Sequence, residues 1–241
     1  MEEFKVKAIV LKAIDYKEKD KIVHLFSLEH GKISAILKGV RSEKAKLKFA
    51  AQPFCFADFI LVKKGDLFIV TNVDLEDSFF DLTKDLNSYY LSFTLLEMVD
   101  VALMEEEANA LVFINLLKAL KLICYDKVNA KLVVLKFVLG MLKVLGYRFN
   151  FNECEVCKAK FINKKFLNLD NGSIVCGSCQ TINSKQMTDN VFNLIKALYV
   201  TEIERVNTIN AKDSVLLEAL DLMVKNFEYR TESKLKTLKT L

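Results

Sequence analysis

Two Cys-x-x-Cys pairs constrain the fold of this chain more than any other feature of its sequence. They are Cys154-Glu-Val-Cys157 and Cys176-Gly-Ser-Cys179, with eighteen residues between them. This spacing is typical of a zinc ribbon, in which each pair places two sulfurs at one turn and a hairpin brings the pairs together. Four thiolates leave zinc no open coordination position, so the pattern predicts one structural zinc ion per chain, bound by Cys154, Cys157, Cys176 and Cys179. Two disulfides or four free thiols are the alternatives.

The segment between the two pairs has the pattern of a β-hairpin. Asn171-Gly172 lies midway, and an Asn-Gly pair favours a tight turn between antiparallel strands. We therefore expect strands at residues 166–169 and 173–175. Gly177, inside the second pair, is expected to take a positive φ, which glycine tolerates best.

The sequence carries no signal for export or for a membrane span. The first residues, Met1-Glu-Glu-Phe-Lys, lack the basic and apolar regions of a signal peptide. The most apolar runs, residues 108–124 and 132–146, are interrupted by lysines and do not reach the roughly 20 apolar residues that a membrane span needs. We therefore expect a cytoplasmic protein whose thiols stay reduced, which favours a metal over disulfides.

Residues 1–80 have the alternating and short apolar patterns of β-strands. Strands are expected at residues 5–13, 22–28, 32–37, 54–63 and 67–73. Gly31 is the expected turn residue before the third strand, and Lys64-Gly65-Asp66 separates the last two. Five strands with short turns in this length predict a small closed barrel, either an OB-fold or an SH3-like barrel.

From Asp81 onward the apolar residues recur with a helical period. Helices are expected at residues 86–106, 108–124, 129–145, 188–199 and 214–226. Gly146 should end the third, Thr188 or Asp189 should cap the fourth, and the tail 229–241 should fray. The predicted fold class is therefore α+β and multidomain: an OB-fold-like β-barrel at 1–80, an all-α domain at 81–150 and 183–241, and the zinc ribbon inserted at 151–182.

The sequence offers little for catalysis. His24 and His30 are the two histidines, and neither stands in a Cys-His or Ser-His-Asp pattern. Gly39 and Gly65 are isolated, so the Gly-rich phosphate loop of nucleotide hydrolases is missing from the sequence. We therefore expect a protein that is not an enzyme and has no small-molecule substrate.

Basic residues are concentrated in one part of the barrel region. Eight cations and two carboxylates lie between Lys32 and Lys64, so this segment carries +6 in a chain whose net charge is +4. Five of the eight fall in the connection 38–48 after the third strand. A lysine-rich loop on a small barrel suits contact with a phosphate backbone, whereas a merely solubilising surface is the alternative. The nearby candidates for base stacking are Phe49, Phe54, Phe56, Phe59 and Phe68.

Short motifs spread over both halves of the chain carry a family likeness. The barrel region contributes Ala8-Ile-Val-Leu11, Glu18-x-Asp20, Ile22-Val-x-Leu25-Phe26, His30-Gly31-Lys32, Lys38-Gly39-Val40-Arg41 and Gln52-Pro53-Phe54. The later region contributes Leu142-x-x-Leu145-Gly146-Tyr147, Cys154-x-x-Cys157 and Gly172-x-x-x-Cys176-x-x-Cys179. In this order the motifs resemble the RecO family, the bacterial recombination mediators of DNA repair, while the segments between them match in pattern only.

The resemblance implies an OB-fold, a helical C-terminal domain and a zinc ribbon, without catalytic turnover. It implies a nucleoid-associated protein that binds single- and double-stranded DNA and anneals complementary strands. With the partner RecR, such a protein helps RecA load onto DNA that is coated with single-strand-binding protein (SSB). The implied DNA contacts are Lys38, Arg41, Lys44, Lys46 and Lys48, with Lys63 and Lys64 as further candidates.

The resemblance also implies recognition of the C-terminal tail of SSB. That tail ends in apolar residues and a carboxylate, so its site needs an apolar groove beside a cation. The helix 129–145, with Lys136 and Lys143, and the following Arg148 are the predicted place. Two other classes of function stay open at this point: a protein-interaction adaptor, and an RNA-binding protein that combines a zinc ribbon with an OB-fold.

Overall fold

The computed structural model describes residues 3–65, 67–162 and 164–240, and the chain separates into two units. The first unit comprises Met1–Lys84 and Leu103–Leu117. The second comprises Asp85–Ala102 and Lys118–Leu241. Each unit is therefore assembled from two separate stretches of sequence, and the domain limits expected from the sequence stay a prediction.

A closed five-stranded barrel forms most of the first unit. Its strands are β1 (Glu3–Tyr16), β2 (Asp20–Ser27), β3 (Gly31–Leu37), β4 (Phe56–Lys64) and β5 (Leu67–Asp77). They close in the order β1-β2-β3-β5-β4, and only the β3–β5 ladder is parallel. The early part of β1 pairs with β4 and the later part with β2, with a register shift between Val10 and Lys12. The predicted OB-fold-like barrel is confirmed.

The alternation of the strands explains the interior of the barrel. Every second residue of β1 points inward, so Val6, Ala8 and Val10 are fully buried together with Leu25 and Phe59. The connection between β3 and β4 contains a 3₁₀ helix, Lys48–Ala51, whose two alanines are buried against the same core. The connection that carries the basic residues is therefore anchored to the barrel at its far end.

Residues 103–117 cover part of the barrel. In this stretch Phe113, on helix α2 (Ala110–Cys124), packs against Phe26 and Phe56, with ring centroids 5.6 and 6.2 Å apart. Upstream, Glu105 forms a parallel bridge with Lys32, and the N–H of Glu106 donates to the Lys32 carbonyl at 3.0 Å. This stretch is thus part of the first unit by side-chain packing and by backbone pairing.

The first predicted helix ends earlier than the sequence pattern suggested. Helix α1 is Leu86–Ala102, so the expected continuation to residue 106 is wrong. The residues that follow include Glu105-Glu106-Glu107, and Glu106 adopts the left-handed region at φ 61°. Carboxylates at the C-terminal end of a helix are repelled by the helix dipole, which is a physical reason for the early end.

Helix α3 (Ala130–Val144) is the centre of the second unit. It packs against α1, α4 (Asp189–Val200) and α5 (Asp213–Thr231), and its residues Leu135, Val138 and Leu142 are fully buried. The side chain of Asn129 caps α3 by accepting from the Lys131 N–H, and Thr188 caps α4 by accepting from the Val191 N–H. Gly146 follows α3 with φ 91°, as expected for a C-terminal glycine.

The C-terminal tail is held in place, so the expected fraying is wrong for the described residues. Helix α5 continues to Thr231, beyond the predicted end at 226. After it, Leu235 is buried, and its N–H donates to the Glu228 carboxylate at 2.9 Å. The N–H groups of Lys236 and Thr237 donate to the Glu97 carboxylate on α1 at 2.7 and 3.0 Å.

A small sheet of three strands lies between α3 and α4 in the chain. Its strands are β6 (Lys165–Asn168), β7 (Ser173–Cys176) and β8 (Ser184–Met187), in the order β7-β6-β8. The predicted hairpin is confirmed: Gly172 has φ 74° and donates its N–H to the Asn168 carbonyl at 2.8 Å. Strand β8 was not predicted. None of the helices in the described stretches is both long enough and apolar enough for a membrane span.

Candidate functional site

The four paired cysteines converge on one point of the ribbon. The Sγ atoms of Cys154, Cys157, Cys176 and Cys179 all lie within 4.8 Å of one another. The Sγ atoms of Cys157 and Cys176 are 3.7 Å apart. That separation is well beyond the roughly 2.05 Å of a disulfide bond, and all four cysteines are free thiols. The disulfide alternative is therefore not the arrangement of this structure.

Backbone hydrogen bonds hold the thiols in this arrangement. The N–H of Cys176 donates to Cys154 Sγ at 3.3 Å, which links the second pair to the first. In the first pair, the Lys158 N–H donates to the Cys154 carbonyl at 2.9 Å, and Lys158 itself has φ 58°. The expected positive φ at Gly177 is wrong, because the left-handed residue follows the first pair instead of lying inside the second.

The electrostatics of the site favour a thiolate at its centre. Burial raises the pKa of the Cys154 thiol, but backbone N–H groups of Cys157, Cys176 and Val156 outweigh it and lower that pKa to about 6. The neighbouring Cys179 shows the opposite shift: its hydrogen bond with Cys157, followed by burial, raises its pKa to about 12. The cluster therefore readily holds one negative charge, and a cation is the natural means of stabilising further thiolates.

The donor set fits a metal ion of zinc's size and softness. A bond of about 2.3 Å from zinc to each thiolate corresponds to sulfur–sulfur separations of about 3.8 Å in a tetrahedron, close to the 3.7 Å between Cys157 and Cys176. Phe166 and Val175 pack beside the buried Cys154 and shield that side of the cluster from water. Four soft donors with no oxygen or nitrogen ligand among them match a structural metal site.

The basic connection after β3 is pinned to the barrel at its start. The Gly39 N–H donates to Asp20 Oδ1 at 2.8 Å, and the Arg41 N–H donates to the Lys19 carbonyl at 3.0 Å. The Arg41 guanidinium also donates to the Lys17 carbonyl at 2.9 Å and pairs with Asp15 at 3.2 Å. Arg41, a predicted DNA contact, is thus an anchor of this connection, and its side chain is partly engaged.

The lysines of the same connection are exposed and available. We call Lys38, Lys44, Lys46 and Lys48 the loop lysines. Within the described part of the chain, none of them has an ion pair or hydrogen bond through its side chain. The contacts of Arg41 bring the start of this connection beside the β1–β2 turn, which carries the exposed Lys17 and Lys19. Sequence reasoning missed these two residues because Glu18 and the flanking Asp15 and Asp20 more than offset their charge in the sequence.

Lys63 and Lys64 do not join the loop lysines. Lys63 lies opposite Phe68 across the β4–β5 ladder, and Phe68 is level with Ala35 on β3. Lys63 is therefore level with Ala35, whereas Lys38 follows the end of β3, and β5 lies between β3 and the strand that carries both lysines. The structure therefore separates the predicted DNA contacts into two places on the barrel.

The phenylalanines singled out for base stacking differ in exposure. The structure buries three of them and leaves the other two partly exposed beside the barrel core. A buried ring has no free face for a base. The buried residues are Phe54, Phe56 and Phe59, and the partly exposed ones are Phe49 and Phe68.

One outer face of the barrel is unsuited to a polyanion. Lys5 and Lys7 on β1 pair with Asp58 on β4 at 2.7 and 3.4 Å, and Lys7 also pairs with Glu76. Asp74 lies opposite Asp58 on β5. The hydrogen bond from Lys5 lowers the pKa of the Asp58 carboxyl, so this face keeps its negative charges near neutral pH.

Two of the predicted SSB-tail residues lie together on α3. Lys136 is half-buried and donates to the Leu198 carbonyl in the last turn of α4 at 2.9 Å, where it complements the helix dipole. Burial, and then the nearby charge of Lys143, lower the pKa of Lys136. Lys143 lies 5.7 Å from the centroid of Tyr199, a ring that also contacts Phe149 and Phe151. Arg148 is exposed.

The fold defines a class of protein in which an OB-fold-like barrel, a helical unit and a four-cysteine ribbon share one chain. Residues 1–79 match the family model described as "Recombination protein O N terminal", and residues 83–239 match the model described as "Recombination protein O C terminal". The chain therefore belongs to the RecO family of DNA repair proteins.

Similarity to curated relatives extends over most of the chain. The protein named DNA repair protein RecO in Clostridium kluyveri is 30% identical over 241 residues, covering 99% of this chain and 94% of that protein. Its namesake in Clostridium novyi is 29% identical over 92% of this chain and 88% of its own length. A third namesake, in Desulforamulus reducens, is 28% identical over 98% of this chain and 93% of its own length.

Proposed function

We propose that this protein is a recombination mediator that binds single- and double-stranded DNA, anneals complementary strands and, with RecR, helps load RecA onto SSB-coated DNA. The main support is that the barrel of this RecO-family chain carries the four exposed loop lysines. Among the described residues, their side chains have no partners. Proteins of this kind act in the cytoplasm on the nucleoid and need no catalytic group.

The proposed annealing mechanism follows from charge. Two complementary strands repel each other through their phosphates, so their encounter is slow at low salt. A surface that carries several lysines lowers this repulsion and raises the local concentration of both strands. Lysine is a point charge without the planar fork of arginine, so we expect binding that depends little on base sequence.

We propose that the four-cysteine cluster binds one zinc ion per chain with a structural role. Four thiolates would complete its coordination and leave no position for a substrate. When bound, zinc would compensate the negative charge of the thiolates and crosslink the two ends of the ribbon. The support for this proposal is the convergence of the four Sγ atoms within 4.8 Å.

We propose that the SSB tail binds near Lys143 and Arg148, with Lys136 contributing positive charge from a half-buried position. The support is the combination of these cations with the partly exposed rings of Phe151 and Tyr199, which offers the apolar surface that such a tail needs. Because Lys136 already donates to the Leu198 carbonyl, we assign the direct contact with the tail's carboxylate to the more exposed Lys143.

The experiment is strand annealing on SSB-coated DNA. Two complementary labelled oligonucleotides are coated with the cognate SSB, and duplex formation is followed with and without this protein. We expect acceleration that disappears at high salt, and weaker acceleration when the SSB lacks its C-terminal tail. No acceleration by folded protein would contradict the proposal and favour a protein-interaction adaptor.

A matched pair of variants tests the assigned surface. Replacing the loop lysines with glutamine should abolish annealing and reduce the salt slope of single-strand binding by up to about three, since each phosphate contact contributes roughly 0.7. Arg41 is left in place because it anchors the connection. A control variant removes the same charge elsewhere and should anneal normally; it replaces Lys121, Lys196, Lys212 and Lys236 with glutamine. Equal loss in both variants would mean that only net charge matters.

A further inference from the structure

The first unit contains a cavity of about 430 Å³ away from the loop lysines. Its walls come from the start of β1, the β2–β3 turn and β3, the end of β4, the start of β5 and the stretch that follows α1. The residues that line it are Phe4, His30, Ile33, Lys63, Phe68 and Glu106. Pockets that hold a small organic group measure about 300–1,000 Å³, so this cavity suits one planar group and its immediate attachment.

Three aromatic rings are arranged around this cavity. Phe4 contacts Phe68 with centroids 5.4 Å apart and an interplanar angle of 77°, and it contacts His30 at 6.1 Å and 78°. In edge-to-face contacts the rings stand nearly at right angles, so they do not stack on each other and a ring face stays available to another planar group. Phe4 and Phe68 are only partly buried against the barrel core. The cavity is thus an aromatic recess open to solvent.

Residues of both charges line the cavity. Lys63 Nζ lies 5.7 Å from the centroid of Phe68, and Lys64 follows it on the same strand. The carboxylate residue Glu106 lines the cavity as well. A ligand that carries a planar apolar group and a phosphate would therefore place its phosphate beside Lys63 and away from Glu106.

We infer that this recess takes one unpaired nucleobase of single-stranded DNA, stacked on the Phe4–Phe68–His30 rings, with the adjoining phosphate beside Lys63. The inference rests on the proposed DNA-binding function and adds to it a second contact that distinguishes single strands from duplexes. In a duplex the bases are already stacked on each other, so the recess contributes only to strands with free bases. The structure thereby gives Lys63 and the loop lysines different tasks: the loop lysines hold backbone, and Lys63 accompanies a base.

A strand without bases provides the direct test. Affinity of the full chain is measured for a labelled single-stranded oligonucleotide and for the same backbone built from abasic tetrahydrofuran units. We expect the wild-type protein to prefer the base-bearing strand by about fivefold or more, since stacking of one base on an aromatic side chain contributes on that scale. Phe68→Leu, which keeps an apolar side chain but loses the ring, should bring this preference close to one.

A second phenylalanine provides the matched control. Phe49 is also partly buried against the barrel core and does not line the cavity. Phe49→Leu should keep the wild-type preference for bases, and duplex binding should be the same in all three proteins. An unchanged preference in Phe68→Leu, with normal binding of both strands, would overturn the inference and leave the proposed function intact. Failure of the wild type to bind either strand would instead overturn the proposed function.

Crosslinking of the wild-type protein covers the case in which Phe68→Leu folds poorly. A single strand that carries 5-iododeoxyuridine is irradiated with the protein, and the crosslinked peptide is identified by mass spectrometry. We expect the crosslink at Phe4, His30 or Phe68, because this base reacts with aromatic side chains on which it stacks. Crosslinks confined to other aromatic residues would assign the stacking to another surface, and the recess would then be a candidate for an aromatic peptide side chain.

Discussion

The barrel and the ribbon are both small sheets, but different interactions hold them together. The barrel encloses a continuous cluster of buried side chains that includes Leu25, Phe59 and Leu61. The ribbon's own buried cluster consists of Cys154, Phe166 and Val175. Each buried apolar side chain contributes about 1.5–3 kcal/mol relative to leaving it exposed. The interior of the barrel therefore stabilises its sheet far more than three buried residues stabilise the ribbon, for which we expect an additional crosslink.

Metal removal should produce the largest difference in stability between the barrel and the ribbon. Stripping the proposed zinc with a chelator should unfold the ribbon, since structural zinc contributes about 10–16 kcal/mol of apparent folding free energy in small zinc-binding peptides. Hydrogen exchange by mass spectrometry should report lost protection at β6, β7 and β8 and retained protection in β1–β5. Elemental analysis should give one zinc per chain before the treatment.

Cysteine variants provide the control for metal removal. Cys154→Ser should lose the zinc and the protection of the ribbon. Cys55→Ala should keep both, because Cys55 is a buried thiol of the barrel core whose pKa burial raises to about 12. A ribbon that remains protected after complete metal loss would mean that its packing suffices, and the contrast with the barrel would fail.

Two glycines test how tightly the barrel depends on the stretch that covers it. Gly31 and Gly39 both have positive φ, 67° and 65°. A Cβ on Gly31 would lie 2.1 Å from the Glu107 carbonyl oxygen, whereas one on Gly39 would meet nothing within 4 Å. Gly39→Ala should therefore lower the free energy of unfolding by about 1–2 kcal/mol, because alanine must adopt the left-handed conformation. Gly31→Ala should lower it clearly more, because the backbone of residue 107 must also move. Urea denaturation measures the loss of stability in both variants. Equal losses would show that the stretch 103–117 is loosely attached to the barrel.

The smallest expected effect concerns the ion-paired outer face of the barrel. The hydrogen bond from Lys5 lowers the pKa of Asp58 in the folded protein. The resulting stabilisation is complete above the unfolded carboxyl pKa of about 3.9, and it is lost as the pH falls through the lower folded value. Asp58→Asn should therefore flatten the loss of barrel stability in acid, measured as the urea midpoint between neutral pH and pH 3.

The effect of Asp58→Asn should be small because its partners remain partly exposed to solvent. Glu29→Gln is the control, since Glu29 is exposed and, among the described residues, has no ion pair. An acid response that Asp58→Asn leaves unchanged would place the titrating groups elsewhere in the barrel.

Sequence reasoning succeeded where a local pattern determines the structure. Alternating and short apolar runs separated by short turns predicted the barrel, and the Cys-x-x-Cys spacing predicted the convergence of four thiols. It missed β8, because Ser184-Lys-Gln-Met187 shows no apolar alternation, although all four residues pair with β6. It also missed the order of the tail, which depends on the carboxylate of Glu97, distant in sequence.

The candidate DNA surface shows the same limit. The abundance of lysine after β3 was evident in the sequence, but the anchoring of this connection by Asp15 and Asp20 depends on side-chain contacts across the barrel. The division of the predicted cations between the loop and the β4–β5 turn depends on the register of the parallel β3–β5 pair. Neither can be derived from composition.

The stretch 103–117 has a consequence for hybrids that combine halves of two related proteins. The N-terminal family model ends at residue 79, yet Phe113 and the backbone around Glu105 complete the first unit from beyond that limit. A hybrid that joins this barrel to the C-terminal half of a distant relative would receive a cover shaped for another barrel. The barrel and its cover must match most closely at Gly31, where any side chain would collide with the backbone of Glu107.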